Sequence, residues 1–154
     1  NTWRSEVTYT FSEGGIMAVN APFITVCKDN DSTNIQFSGY SESYPIIIAF
    51  NLKGLNLKSF KDLQLLKDKK IKLDGDHNYG LCHWQSADSK NPVSAKGEIG
   101  QIYFRNVSLQ DSSSVVVISG TFGFSYSDPA NETTKVSYGR FDYKIRENED
   151  FIIK

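Results

Sequence analysis

Methionine occurs once in this chain of 154 residues, and histidine and cysteine occur twice each. So little His and Cys leaves scant material for a transition-metal centre, which takes three or four such ligands. His77 and His83 flank Cys82, but two His and one Cys in that short span need a distant fourth ligand or water to close a tetrahedral site. Cys27 and Cys82 are too widely separated for a C-x-x-C knuckle. They fit either a single bridge or two buried thiols, which pack like small apolar groups. An excess of one charge is missing too: 17 Lys and Arg stand against 18 Asp and Glu, for a net charge of −1. No global field therefore draws the chain to nucleic acid or an anionic membrane. No apolar run approaches the roughly 20 residues that span a bilayer. The chain opens at Asn1, so any targeting segment is expected upstream of it. There is no repeat, no low-complexity tract, no βαβ rhythm and no G-x-S-x-G elbow.

What is present is aromatic. Ten Phe and eight Tyr beside few Ala suit strands better than helices. From Trp3 to Phe11, Trp3, Val7, Tyr9 and Phe11 alternate with Arg4, Glu6, Thr8 and Thr10, which predicts a half-buried strand ended by Glu13-Gly14-Gly15. Further strands are expected at Phe23 to Cys27, after Pro22, and around Ile35 to Phe37, with Asp29-Asn30-Asp31 turning between them. Pro45 to Leu52 is apolar enough for burial on both faces. Strands follow at Lys70 to Leu73, Tyr79 to Gln85, Glu98 to Leu109, Val115 to Tyr126 and Lys135 to Ile145. A polar loop is expected from Ser86 to Lys96, and turns at Gln110 to Ser114 and Ser127 to Asn131. In the last strand Val136 and Tyr138 are out of phase with Phe141, Tyr143 and Ile145, so a β-bulge is predicted close to Gly139. Leu57, Phe60, Leu63 and Leu66, spaced by three, predict a short helix over Ser59 to Leu66. The seven Lys between residues 53 and 72 are expected on its solvated side, with an anionic-partner patch as the alternative. The expected architecture is one domain over residues 1–154, an all-β, mainly antiparallel sandwich with one short helix.

Two clusters invite functional readings. Asp74, Asp76 and Asn78 alternate like the start of a calcium loop, although Tyr79 and Gln85 stand where an EF-hand loop has Gly and Glu. The alternative is a turn between strands. Tyr40, Tyr44, Tyr79 and Trp84 lie near loops or strand ends, where rings stack on sugars or anchor protein interfaces. Asn30, Asn106 and Asn131 each open an N-x-[ST] sequon, which matters only in a eukaryotic secretory setting. Paired carboxylates for glycoside hydrolysis depend on spatial separation, which the sequence does not give. No cofactor is expected.

Ile118-Ser-Gly-Thr-Phe-Gly-Phe-Ser-Tyr126 and Val136-Ser-Tyr-Gly-Arg-Phe-Asp-Tyr-Lys144 resemble the carboxy-terminal hairpin of small uncharacterised lipoproteins of Bacteroidetes-type bacteria, which end on a "GTF-F" and a "G-FD" strand. The likeness covers about 30 residues. It implies a β-sandwich that is exported to the periplasm or cell surface and touches membrane only through a lipid anchor upstream. It assigns no activity and no functional residue. The expected role is a non-enzymatic module that binds a glycan or another surface protein. A structural or assembly subunit is the alternative, and a hydrolase a further one.

Overall fold

Alternation of apolar and polar residues produces twelve strands and one short helix among the residues that the computed structural model describes. These are 4–7, 10–12, 18–41, 44–84, 93–97, 99–110, 113–127 and 133–154, with side chains described for 23–37, 47–82, 96–97, 99–110, 113–125 and 139–154. In chain order the strands are β1 (Arg4–Val7), β2 (Thr10–Ser12), β3 (Ala18–Cys27), β4 (Ser32–Ser41), β5 (Tyr44–Lys53), β6 (Lys70–Leu73), β7 (Tyr79–Trp84), β8 (Val93–Gly97), β9 (Ile99–Leu109), β10 (Val115–Ser127), β11 (Thr133–Arg146) and β12 (Phe151–Ile153). They form two six-stranded sheets. The front sheet runs β1-β11-β10-β9-β6, with β2 also on β11; the back sheet runs β12-β3-β4-β5-β7-β8. Buried residues of both sheets meet in one core, so the expected mainly antiparallel sandwich is what the chain adopts.

Several elements differ from expectation. The strand expected from Trp3 to Phe11 is two strands, β1 and β2, and both pair parallel with β11. Pro22 falls inside β3 rather than at its start. The register there slips between Asn20 and Phe23, an irregularity that accommodates a residue with no N–H for the ladder. The end of the loop expected over Ser86 to Lys96 is strand β8, on the edge beside β7. The three-residue β12 was not expected, and it adds parallel to β3. β5 buries Ile48, Phe50 and Leu52 on its inner face and Ala49 on its outer face, while Ile47 and Asn51 are half-buried there. The turn expected at Glu13 to Gly15 lies outside the described residues, as does the stretch Asp128 to Asn131 of the turn expected after β10.

The predicted bulge is present. Between Phe122–Gly139 and Phe124–Val136, β11 has one residue more than β10. Its other neighbours record the same slip, since Val7 lies opposite Val136 and Thr10 opposite Arg140. A second bulge sits in β9, where Ser119 faces Asn106 and Gly120 faces Phe104, leaving Arg105 extra. It brings Ile102, Phe104 and Val107 all to the core although their parity changes.

Rings fill the space between the sheets. Phe37 lies 5.2–6.4 Å from the ring centroids of Phe50, Phe122, Phe141 and Tyr143. The front-sheet rings have room because glycines face them. Gly120 lies opposite Phe141, and Phe122 opposite Gly139, so adjacent strands exchange a ring for a glycine twice in succession. A Cβ at Gly139 would run into the Phe122 ring, and one at Gly120 into the Tyr103 carbonyl and the tip of Phe141. Phe124 rests on a second glycine pair, Gly80 and Gly97, which are cross-strand partners in the back sheet. The "GTF-F" and "G-FD" segments are thus a packing device.

The helix (Phe60–Leu66) is a 3₁₀ helix. Its buried residues Phe60, Leu63 and Leu66 recur every third position, which is the repeat at which a 3₁₀ helix eclipses its side chains. The Asp62 carboxylate accepts the N–H groups of Lys58 and Ser59 at 2.8 and 3.1 Å, satisfying donors at the helix start. Phe60 packs edge-on to Phe151 at 5.4 Å, so the helix holds β12 in place.

Substituting Gly139→Ala is expected to cost about 1–3 kcal/mol, the range for overpacking a filled core. Chemical denaturation of Gly139→Ala, Phe122→Leu and the double variant tests this. A smaller ring-site residue should recover part of the loss, whereas additivity within about 0.5 kcal/mol would show that the ring and the glycine do not interact.

Candidate functional site

Where glycine removes side chains from the outer face of a sheet, the backbone itself becomes the floor of a depression. On the front sheet Gly123 lies opposite Gln101, and Gly100 opposite Phe124. Gly100 has φ +153°, a conformation other residues rarely adopt, and a Cβ there would strike the Gly123 carbonyl. The β11 bulge bends the adjoining backbone just before Gly139. The result is a groove of about 440 Å3 lined by Gly100, Gln101, Thr121, Phe122, Gly123, Gly139 and Arg140. Gln101, Thr121 and Arg140 are exposed and supply an amide, a hydroxyl and a guanidinium, while Phe122 belongs to the core beneath. Among the described lining residues there is no carboxylate. These residues can donate and accept hydrogen bonds and place a cation.

Gly139 stood out as the place of a bulge, and Thr121 to Gly123 and Gly139-Arg140 fall in the hairpin segments, but none of the lining residues was read as a binding residue. Gln101, Thr121, Gly123 and Arg140 alternate with core residues along their own strands, as on any solvated face, whereas Gly139 and Gly100 lie opposite the core residues Phe122 and Phe124. The available signal was a coincidence of parity: an amide, a hydroxyl, a glycine and a cation at outward positions of three strands that become neighbours.

The aromatic candidates are divided. Tyr40 pairs with Pro45 and Tyr44 with Ser41 at the closed end of the β4–β5 hairpin, and Trp84 pairs with Ile46 beside them. Tyr79 is at the other end of β7, opposite Asn51. The register therefore brings Tyr40, Tyr44 and Trp84 to one end of the back sheet and keeps Tyr79 away from them. Half-buried Tyr79 carries the Lys96 ammonium 4.5 Å from its ring centroid. Its register row continues through Asn51, Asn34 and Thr25, a polar band across the outer back sheet.

Asp74, Asp76 and Asn78 form the crossing from β6 in the front sheet to β7 in the back sheet. Asp74 Oδ1 accepts the N–H groups of Asp76, His77 and Asn78 at 3.0, 2.8 and 2.9 Å. Asn78 Oδ1 accepts the N–H of Lys53 at 2.8 Å, tying the loop to β5. Two of the three prospective ligand oxygens are thus directed at the backbone, which is the geometry of the turn reading. The N–H of Asn78, then those of Asp76 and His77 and the adjacent His77 ring, hold the Asp74 carboxyl below its usual range. The His77 ring reaches Asp74 at 3.5 Å, with both side chains exposed. Among the described residues no three His, Cys, Asp or Glu side chains come together as a metal site would require.

The two thiols cannot meet. Cys27 on β3 faces Ser32 of β4, whereas Cys82 on β7 faces Ile48 of β5, three strands across the sheet and several residues along it. Three strand spacings alone are about 14 Å, beyond the reach of a disulfide. Both are free: Cys27 is half-buried, and Cys82 is in the core, where burial pushes its thiol up to about 12. Of the sequons, Asn30 lies in the β3–β4 turn, Asn106 is exposed beside the β9 bulge, and Asn131 is outside the described residues.

A smaller cleft of about 240 Å3 lies between Lys28, Asp31, Asn56, Leu57 and Lys58. Two of its lining residues are joined to each other, since Asp31 Oδ1 accepts the Asn56 N–H at 2.8 Å.

Comparison with known protein families, curated proteins and solved structures gives no match.

Two outcomes test this geometry. Brief alkylation of the native protein should label Cys27 and spare Cys82, with both labelled after unfolding; rapid native labelling of Cys82 would contradict its burial. The raised Cys82 value favours the native state fully below the ordinary thiol range of about 8.5, and that contribution fades as pH rises from there toward 12. For Asp74 the sign is opposite: its stabilisation is present above the usual carboxylate range and lost as pH falls through its lowered value. Replacing it by Ala should speed hydrogen exchange at the amides of Asp76, His77 and Asn78. Unchanged exchange there would show that the carboxylate does not hold the loop.

Proposed function

We propose that this chain is a non-catalytic binding module of an exported, lipid-anchored surface protein, and that its ligand is a glycan seated in the front-sheet groove. One observation carries the proposal: the groove lined by Gly100, Gly123 and Gly139 together with the exposed Gln101, Thr121 and Arg140. A sugar ring needs close approach to backbone and several hydrogen-bonding groups, and these residues offer both. The described lining residues, an amide, a hydroxyl and a guanidinium among glycines, suit holding a ligand through hydrogen bonds. Export and the lipid anchor rest on the resemblance of the β10–β11 hairpin to the Bacteroidetes-type lipoproteins.

A second reading, an assembly subunit that docks another protein, draws on the opposite face. Phe23, Gln36, Ala49 and Leu81 form one register row across the back sheet, and Ile152 lies opposite Thr25 one row away. Phe23, Leu81 and Ile152 are 37%, 37% and 41% exposed, a scattered apolar surface.

A thermal-shift and calorimetric screen of soluble glycans tests the first reading, using the protein and a Thr121→Trp variant that fills the groove. Saturation at 100 times the dissociation constant should add about 2.7 kcal/mol to stability, raising Tm by several degrees. Thr121→Trp should abolish the shift while keeping the unliganded Tm. No shift with any glycan, or a shift that Thr121→Trp leaves intact, would remove the groove from consideration and turn attention to the back sheet.

A further inference from the structure

We infer that the ligand of the front-sheet groove is an anionic glycan, one bearing uronic-acid carboxylates, an inference that rests on the glycan-binding reading above. The chain as a whole is nearly neutral, with 17 cationic and 18 acidic side chains. Among the described residues the charges are not evenly distributed. On the outer face of the front sheet, Lys70, Lys72, Arg105, Arg140 and Lys144 are exposed, against one exposed carboxylate among the described strand residues there, Asp142. The described strand residues of the outer back sheet carry amides, hydroxyls and apolar groups, with cations only at Lys53 and Lys96.

The register fixes how these cations surround the groove. Lys70, Tyr103, Thr121 and Arg140 occupy one row across β6, β9, β10 and β11. Lys72, Gln101 and Gly123 occupy the next row. The groove thus has Arg140 on its β11 wall and two lysines beyond its β9 wall. Three strand spacings separate Lys70 from Arg140, about 14 Å, longer than a single sugar ring. Lys70 is held over the Tyr103 ring, its Nζ 5.1 Å from the centroid, so this cation is kept on the face.

Arg140 is the groove's own charge, and a guanidinium offers a planar fork matched to a carboxylate. Thr121 and Gln101 beside it suit sugar hydroxyls. Bare phosphate chemistry would not need the glycine floor, and a neutral glycan would not need five cations on one face. Exposed cations in a shallow groove also make a clear prediction: their attraction is screened within about 8–10 Å at physiological salt, so binding must weaken as salt rises.

The experiment compares polygalacturonate with its fully methyl-esterified form, in which the backbone is the same and the charge is gone. Affinity is measured at low and physiological salt for the protein, Arg140→Gln, Lys72→Gln and Lys53→Gln, with Tm recorded for each. Polygalacturonate is expected to bind at least about tenfold tighter than the ester, with the preference fading as salt rises. Arg140→Gln should lose about tenfold and Lys72→Gln less, at unchanged Tm, while Lys53→Gln on the back sheet binds like the parent. Equal binding of the charged and esterified polymers would overturn the anionic preference and leave the glycan-binding reading standing. Failure of both polymers, together with failure of the wider glycan screen, would overturn both. Equal affinity for a short oligonucleotide or for phosphatidylglycerol vesicles would show general anion attraction and overturn the assignment to uronic-acid glycans.

Discussion

The fold depends on an exchange between two strands. β10 presents Gly120 and Phe122 to the core where β11 presents Phe141 and Gly139, each ring opposite the other strand's glycine. Without the glycines, the rings would meet side chains where they now meet backbone, and the sheets would have to separate. Each buried ring contributes roughly 1.5–3 kcal/mol by leaving water, and well-placed ring pairs add about 0.5–1.5 more. Phe37 of the back sheet lies against both front-sheet rings, so the same exchange also sets how the sheets meet. Phe124 repeats the arrangement between sheets by resting on Gly80 and Gly97.

The groove follows from the same economy of side chains. Removing Cβ atoms inside makes space for rings, and at Gly123 the missing side chain is on the outer face. Gly139 joins the two, since its inner side meets the Phe122 ring while its backbone lines the groove beside Arg140. The bulge that precedes it changes which way the following residues of β11 face. It brings Phe141 and Tyr143 to the core and leaves Arg140 and Asp142 exposed. Core packing and the surface chemistry of this face are therefore coupled through a single register shift.

Much of this was legible in the sequence, because period-two alternation is a local property. The phase change between Tyr138 and Phe141 located the bulge, and the spacing of Phe60, Leu63 and Leu66 located the helix. The two phases within residues 98–109 held the same information about Arg105. Partner choice was not legible. Nothing in Arg4 to Ser12 says that it will lie parallel to β11, and β12 is too short for any pattern. The site was hidden for a related reason. Tyr40, Tyr44, Tyr79 and Trp84 stood out as large residues near loops, while Arg140, Thr121 and Gln101 look like ordinary solvated positions on three separate strands and Lys72 was one of a lysine run whose solvated reading was preferred. They become a site only when those strands lie side by side.

The parallel edge pairings have a temporal consequence. β1 and β2 find their partner in β11, and β3 finds one of its partners in β12, so both sheets wait for segments remote in sequence. Contacts so remote in sequence slow folding, because the loop between them must close before it is rewarded. The local antiparallel hairpins can therefore form first, and the two parallel edges are the seams that close the fold last.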